Sequence, residues 1–251
     1  VDPERTSIIR DTVAQTGDRL NTDERPVLAL AFGKLSGWYS GSGAQRVLDW
    51  LERMPFLLVM LPLVMIVIRL SPVDRSGTMV PVAAMGFAAM SMQMVLIYAL
   101  QLMGGSVYSR VAMLSGCFML GLPLGAALME RLVAVRRPLQ IPLLGALFLQ
   151  AVFLLLWRTG QLSPGLLVPF NLAVGFVTGA MFPAAMRTME TMETGVSVRA
   201  GRIDAADHLG AASGAVFAGA AGLLILGVSG TVLLAIAVIG VSMLPVSGKQ
   251  R

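Results

Sequence analysis

Residues 78–103 read TMVPVAAMGFAAMSMQMVLIYALQLM, an unbroken run with no acidic or basic side chain. As a helix rising 1.5 Å per residue this run is about 39 Å long, more than the roughly 30 Å hydrocarbon core of a bilayer. It has no polar face to turn toward water, so its natural solvent is lipid. Comparable apolar runs follow at 107–130, 139–157, 164–186, 205–227 and 231–246, and a shorter one precedes it at 55–70. The reading is an all-α, polytopic helical membrane protein of about seven transmembrane helices with a small N-terminal extramembrane head. The 55–70 run carries Pro62 and also reads as an interfacial or re-entrant segment. Pro81, Pro123, Pro142, Pro169 and Pro183 fall inside the other spans, where neighbouring helices can satisfy the carbonyls they free.

Composition agrees. Only 13% of residues are charged and hydrophobic residues make up 56%, against about 25% charged in a soluble domain; mean hydropathy is +0.77. A net charge of +5 raises nucleic-acid binding as a function. Here, however, Lys and Arg sit in short gaps between apolar runs and form no continuous face, which argues for topology signals and against a nucleic-acid partner. The lone Cys117 and lone His208 exclude a disulfide framework and a standard zinc site. The chain begins at Val1 with no signal-peptide pattern, which reads as a removed leader or the C-terminal part of something longer.

The basic residues fall into two sets of loop ends. Arg69, Arg75, Arg131, Arg136, Arg137, Arg187, Arg199, Arg202, Lys249 and Arg251 share one side, and Arg46, Arg53, Arg110 and Arg158 the other. With seven spans the richer side is cytoplasmic and the head lies outside; the head changes sides if the Pro62 segment does not cross. The localisation read from this is the cell (cytoplasmic or inner) membrane.

Helix contacts are marked by small residues, since close backbone approach drives association where lipid removes the hydrophobic incentive. Gly121 and Gly125, Gly175 and Gly179, and Gly210 and Gly214 are three G-x-x-x-G pairs. Gly86-Phe87 and Gly175-Phe176 are also alike, each leading through Met-rich sequence toward a glycine-rich span, a faint internal repeat of the kind transporters carry.

Polar groups inside apolar runs are costly and so become site candidates. Gln93, Tyr98 and Gln101 lie in the 78–103 run, Gln150 in the fourth span, and Asn171 and Thr178 in the fifth. They read as interhelical hydrogen-bonding groups or as a polar substrate path. A second cluster, Arg202, Asp204, Asp207 and His208 with Arg199 nearby, stands where the next span begins. The i, i+4 spacing of Asp204 and His208 permits an acid to imidazole contact. These residues read either as capping groups on a first helical turn or as a proton or cation site. No phosphate-binding loop, nucleophile elbow or paired metal-ligating His is present, so catalysis by this chain alone, or a cofactor or metal, is not expected.

The head, 1–43, is polar with a short apolar periodicity at Ile8, Ile9 and Val13 and a Gly/Ser link around Gly37, Gly41 and Gly43. Residues 44–54 place Val47, Leu48 and Leu51 on one face, with Trp50 as an interfacial anchor, and read as an amphipathic helix lying on the membrane ahead of the 55–247 helical domain.

Asn21-Thr22-Asp23-Glu24-Arg25-Pro26-Val27-Leu28 resembles a segment near the end of the aminopropyltransferase domain of membrane-fused spermidine synthase-like proteins. Gly86-Phe87, Met90, Gln101 and the run Phe118-Met119-Leu120-Gly121-Leu122-Pro123-Leu124-Gly125 resemble the multi-pass portion of that family. So do Gly175-Phe176 through Phe182-Pro183, and Ala200-Gly201-Arg202-Ile203 through Ala206-Asp207, Leu209-Gly210 and Gly214. The resemblance spans about residues 21 to 230. It implies that 1–43 is the tail of a soluble aminopropyltransferase-like domain whose glycine-rich loop and acidic residues, for decarboxylated S-adenosylmethionine and a polyamine, are not in this chain. Gln93 departs from the family's acid, and Asp204 and His208 replace an aromatic and an aliphatic residue.

Two functions follow. One is the membrane-embedded portion of a spermidine synthase-like protein, acting as an anchor and as a conduit for a polyamine or another small cation. The other is a non-catalytic integral subunit of a respiratory or photosynthetic complex, its glycine faces docking partner subunits. A self-contained secondary transporter requires stronger symmetry between halves than two matched residues provide.

Overall fold

The computed structural model describes residues 77–104, 108–132, 137–190 and 195–244. The head, the 44–54 amphipathic segment and the 55–70 run lie outside these residues. The described chain forms α1 (Met79–Gly104), α2 (Tyr108–Arg131), α3 (Gln140–Arg158), α4 (Pro164–Gly179), α5 (Met181–Thr188), α6 (Val196–Phe217), a π-helical segment (Ala218–Leu226) and α7 (Gly227–Ser242), with no strand among the described residues. Five helical runs are long and apolar enough to cross a membrane: Met79–Met103, Ser109–Arg131, Gln140–Arg158, Pro164–Thr188 and Ala221–Ser242. That is the pattern of a multi-pass membrane protein. Its outward faces agree, carrying Leu120, Phe148, Leu155, Leu209 and Val216, each more than 60% exposed.

The helix boundaries have local causes. Ser163 is extended at φ −104° and ψ 153° before Pro164 opens α4, as the residue before a proline must be, with proline at the first helical position. The α4/α5 junction at Ala180 comes just ahead of Pro183, which has no N–H for the Gly179 carbonyl and whose ring crowds it. The last two boundaries differ from the sequence reading. The span placed at 205–227 begins as a helix at Val196, because hydropathy stops at Arg199 and Arg202 whereas helix propensity does not. The break placed near 228–230 falls on Gly227, at φ 68° and ψ −175°. Gly222 and Thr231 face each other across it, a Cβ on Gly222 lying 3.0 Å from Thr231 Oγ1. Nine residues of straight helix would separate them by about 13 Å. The fifth apolar run therefore doubles back at Gly227.

Two buried clusters fix the helix directions. One gathers Val82 and Met85 from the start of α1, Leu143 from the start of α3 and Ile203 from α6. Met181 and Ala185 of α5 and Ile239 from the end of α7 join them. The other gathers Leu96 and Leu100 from the end of α1 and Phe153 from the end of α3 with Leu114, Leu167 and Val228 from the starts of α2, α4 and α7. So α1, α3 and α6 run one way, and α2, α4–α5 and α7 the other. The first end also carries Arg131, Arg137, Arg187, Arg199 and Arg202, while Arg110 and Arg158 are at the second, the division read from the sequence. At this basic end Arg187 Nη1 donates to the Leu132 carbonyl (2.7 Å) and Nη2 to that of Glu130, capping the negative end of α2.

The closest packing exchanges helices between the two halves of the chain. α1 lies along α6, and α2 along α4. On α2 and α4, Gly121 and Gly125 press on the Leu172 and Phe176 backbone while Gly175 and Gly179 press on the carbonyls of Phe118 and Leu122; a Cβ at any of the four would overlap main chain. On α6, Gly210 and Gly214 press in the same way on the carbonyls of Ala83 and Phe87 of α1, and Gly86 takes the Asp207 carbonyl. The contacts climb together along each pair, so both pairs are parallel. Moreover, Gly86 and Gly175, Gly121 and Gly210, and Gly125 and Gly214 are each separated by the same 89 positions, as are the residues they meet: Ala83 and Leu172, Phe87 and Phe176, Phe118 and Asp207. Helices α1–α3 and α4–α7 are thus two repeats of opposite direction, each lending its first helix to the second helix of the other.

Candidate functional site

Between the exchanged pairs, toward the basic end, lies a cleft of about 330 Å³ lined by Val82 of α1, Leu122, Pro123 and Ala126 of α2, Thr178 and Gly179 of α4, Met181 and Phe182 of α5, and Ile203, Asp204 and Asp207 of α6. Among the described residues every wall is apolar or weakly polar except for the two carboxylates, and no described basic side chain lines it. The glycine contact at Gly86 brings Asp207 here: a Cβ at that position would lie 2.5 Å from the Asp207 carbonyl and 2.8 Å from Oδ1. Asp207 is half-buried.

The acidic cluster read from the sequence therefore divides. Asp204 and His208 are exposed and pair with each other, His208 Nδ1 standing 3.0 Å from the Asp204 carbonyl and 3.5 Å from Oδ1. Asp207 turns inward against Gly86, and Asp204 also reaches the cleft. Because α6 starts at Val196, all three lie two turns or more inside the helix. Dipole capping of a first turn does not account for them. Arg202 is exposed, and Arg199 donates from Nη1 to the Met189 carbonyl (3.2 Å), tying α6 to the end of α5.

The intramembrane polar residues do not form one path. Gln93, 6% exposed, donates from Nε2 to Ser115 Oγ at 3.5 Å, and the fully buried Asn171 donates from Nδ2 to the Leu114 carbonyl at 2.6 Å. Two amides from α1 and α4 thus meet consecutive residues of α2. Their carbonyl oxygens, Gln93 Oε1 and Asn171 Oδ1, accept no hydrogen bond from any described residue, nor does Gln150 Oε1. Tyr98 is half-buried, and Gln101, at the end of α1, is exposed and not joined to Gln93. Thr178 bonds back to the Val174 carbonyl (2.8 Å) while lining the cleft.

Two serines inside apolar runs were missed by the sequence reading: Ser115, and Ser91, whose hydroxyl donates to the Gly214 carbonyl (3.2 Å) across α1 and α6. Serine lowers a hydropathy profile too little to be noticed; its signal is position on a small-residue face. Gly121, Gly125, Gly175, Gly179, Gly210 and Gly214 all serve contacts within the chain. Among the described residues no group of three or more His, Cys, Asp or Glu side chains is placed to hold a metal ion.

No protein-family model, no curated protein and no solved structure matches this chain.

Proposed function

We propose that this helical domain carries a small organic cation across the membrane, with the cleft at Asp207 as its binding site. The observation that carries the reading is the half-buried Asp207 carboxylate in an apolar cleft at the seam of two inverted repeats, with no basic side chain on its walls among the described residues. A carboxylate withdrawn from water needs a partner of opposite charge, and secondary transporters place such groups where their repeats meet. A volume of about 330 Å³ is at the lower end of small-molecule sites, suiting a slender amine. Polyamines are the class to which the sequence resemblance points, and by the same resemblance a soluble aminopropyltransferase-like domain is the natural neighbour of the head. The basic end faces the cytoplasm by its excess of arginine. The scaffold reading loses its main support, since the glycine faces assigned to partner subunits are occupied within the chain.

The test is uptake of radiolabelled spermidine into vesicles containing the protein. Asp207→Asn should lower it at least tenfold, about 1.4 kcal/mol of lost binding or barrier stabilisation, whereas Glu190→Gln, at an exposed carboxylate outside the cleft, should change it less than twofold. Equal uptake by wild type and Asp207→Asn would remove Asp207 as the binding site, and uptake no greater than in protein-free vesicles would leave the domain an anchor only.

A further inference from the structure

The 89-residue correspondence gives each of the eleven residues lining the cleft a counterpart, and four of these counterparts lie together. Val82 corresponds to Asn171, Phe182 to Gln93, Ile203 to Leu114, and Asp204 to Ser115. Those counterparts are not scattered. They are the four residues joined by the Gln93 to Ser115 and Asn171 to Leu114 hydrogen bonds, at the far end of the bundle from the basic end. One position of the inverted pair is therefore an open cleft and the other a closed, polar contact built from the same elements: a first helix from each half against the second helix of one of them.

We propose that Gln93, Ser115 and Asn171 form a second cation site, occluded in this conformation, which opens to the side opposite the basic end as the Asp207 cleft closes. This rests on the transport reading and adds the second half of its cycle. Two facts beyond the symmetry support it. Gln93 and Asn171 are more than nine-tenths buried, and their buried Oε1 and Oδ1 oxygens are left unpartnered by every described residue. A buried carbonyl without a donor is costly, and an ammonium group supplies the missing donors. The two positions are also unequal in charge, since Phe118 stands in α2 where Asp207 stands in α6. The occluded site offers amide oxygens in place of a carboxylate and so holds a cation more weakly, which suits release on that side.

The experiment uses the whole chain, in vesicles of known orientation and in a Cys117→Ala background, with a membrane-impermeant maleimide added from one side at a time. Ala126→Cys should react from the basic side. Asn171→Cys, or Ser115→Cys if that variant folds poorly, should react from the opposite side. Oxidative cross-linking of Gln93→Cys with Ser115→Cys should slow labelling of Asn171→Cys at least tenfold until dithiothreitol is added, and leave Ala126→Cys reactive. Both Asn171→Cys and Ser115→Cys unreactive from the opposite side in folded protein, or labelling of Asn171→Cys unslowed by the cross-link, would overturn the second site. Labelling from both sides without uptake in any variant would uphold the second site and defeat the transport reading instead.

Discussion

At the scale of single residues, glycine decides how near the backbones come, and the consequence can be separated from helix propensity. A side chain at Gly125 meets the Phe176 carbonyl, an atom that cannot swing aside, whereas Gly116 on the same helix has nothing within 4 Å of its absent Cβ. Both changes to leucine gain similar helix propensity. Gly125→Leu should nonetheless cost at least about 2 kcal/mol by overpacking, lowering the melting temperature in detergent by roughly 5 °C or more, while Gly116→Leu should be neutral or slightly stabilising. Equal melting temperatures would show that α2 and α4 are not in backbone contact. The six glycines were legible in the sequence because the four-residue spacing is itself the mark of a close crossing. Which glycine meets which was not legible, since spacing says nothing about partner. Asp207 was legible as a polar intruder, but its inward turn against Gly86 depends on the phase of α6, which the sequence reading began about two turns too late.

At the scale of elements, the last two helices show where hydropathy misleads. The π-helical segment and α7 form one apolar run, Ala221–Ser242, that by composition alone is a single span. Its reversal rests on Gly227, whose φ of 68° with ψ near 180° is a combination open to glycine almost alone. Gly227→Ala should therefore destabilise the protein by about 1–3 kcal/mol. Gly240→Ala, inside α7 with open space around it, should stabilise it by up to about 1 kcal/mol. Thermal denaturation of the two variants in the same detergent reads the difference in sign, and a harmless Gly227→Ala would mean that the chain runs straight through. The other spans were read to within a residue or two at most ends, because in each a long apolar run is bounded by Arg, Pro or Gly. The head and the 55–70 run, with the family resemblance that rests partly on the head, lie outside the described residues.

At the scale of the whole molecule, the repeat is the feature the sequence half disclosed. Gly86-Phe87 and Gly175-Phe176 were visible as a matched pair, yet two residues carry little weight. The stronger signal was that the G-x-x-x-G pairs at Gly121 and Gly210 keep the same 89-residue interval. It passes unnoticed until helix directions show that matched segments run oppositely and pack crosswise. That arrangement makes the bundle one cooperative body, since neither half can bury its glycine faces alone, and it places the Asp207 cleft on the seam. The central claim, that this cleft binds a small organic cation through Asp207, is tested most directly by calorimetric titration of the detergent-solubilised protein with spermidine. The account predicts saturable binding, weakened at least tenfold, about 1.4 kcal/mol, by Asp207→Asn and little changed by Glu190→Gln; no saturable binding, or equal affinity in wild type and Asp207→Asn, would contradict it.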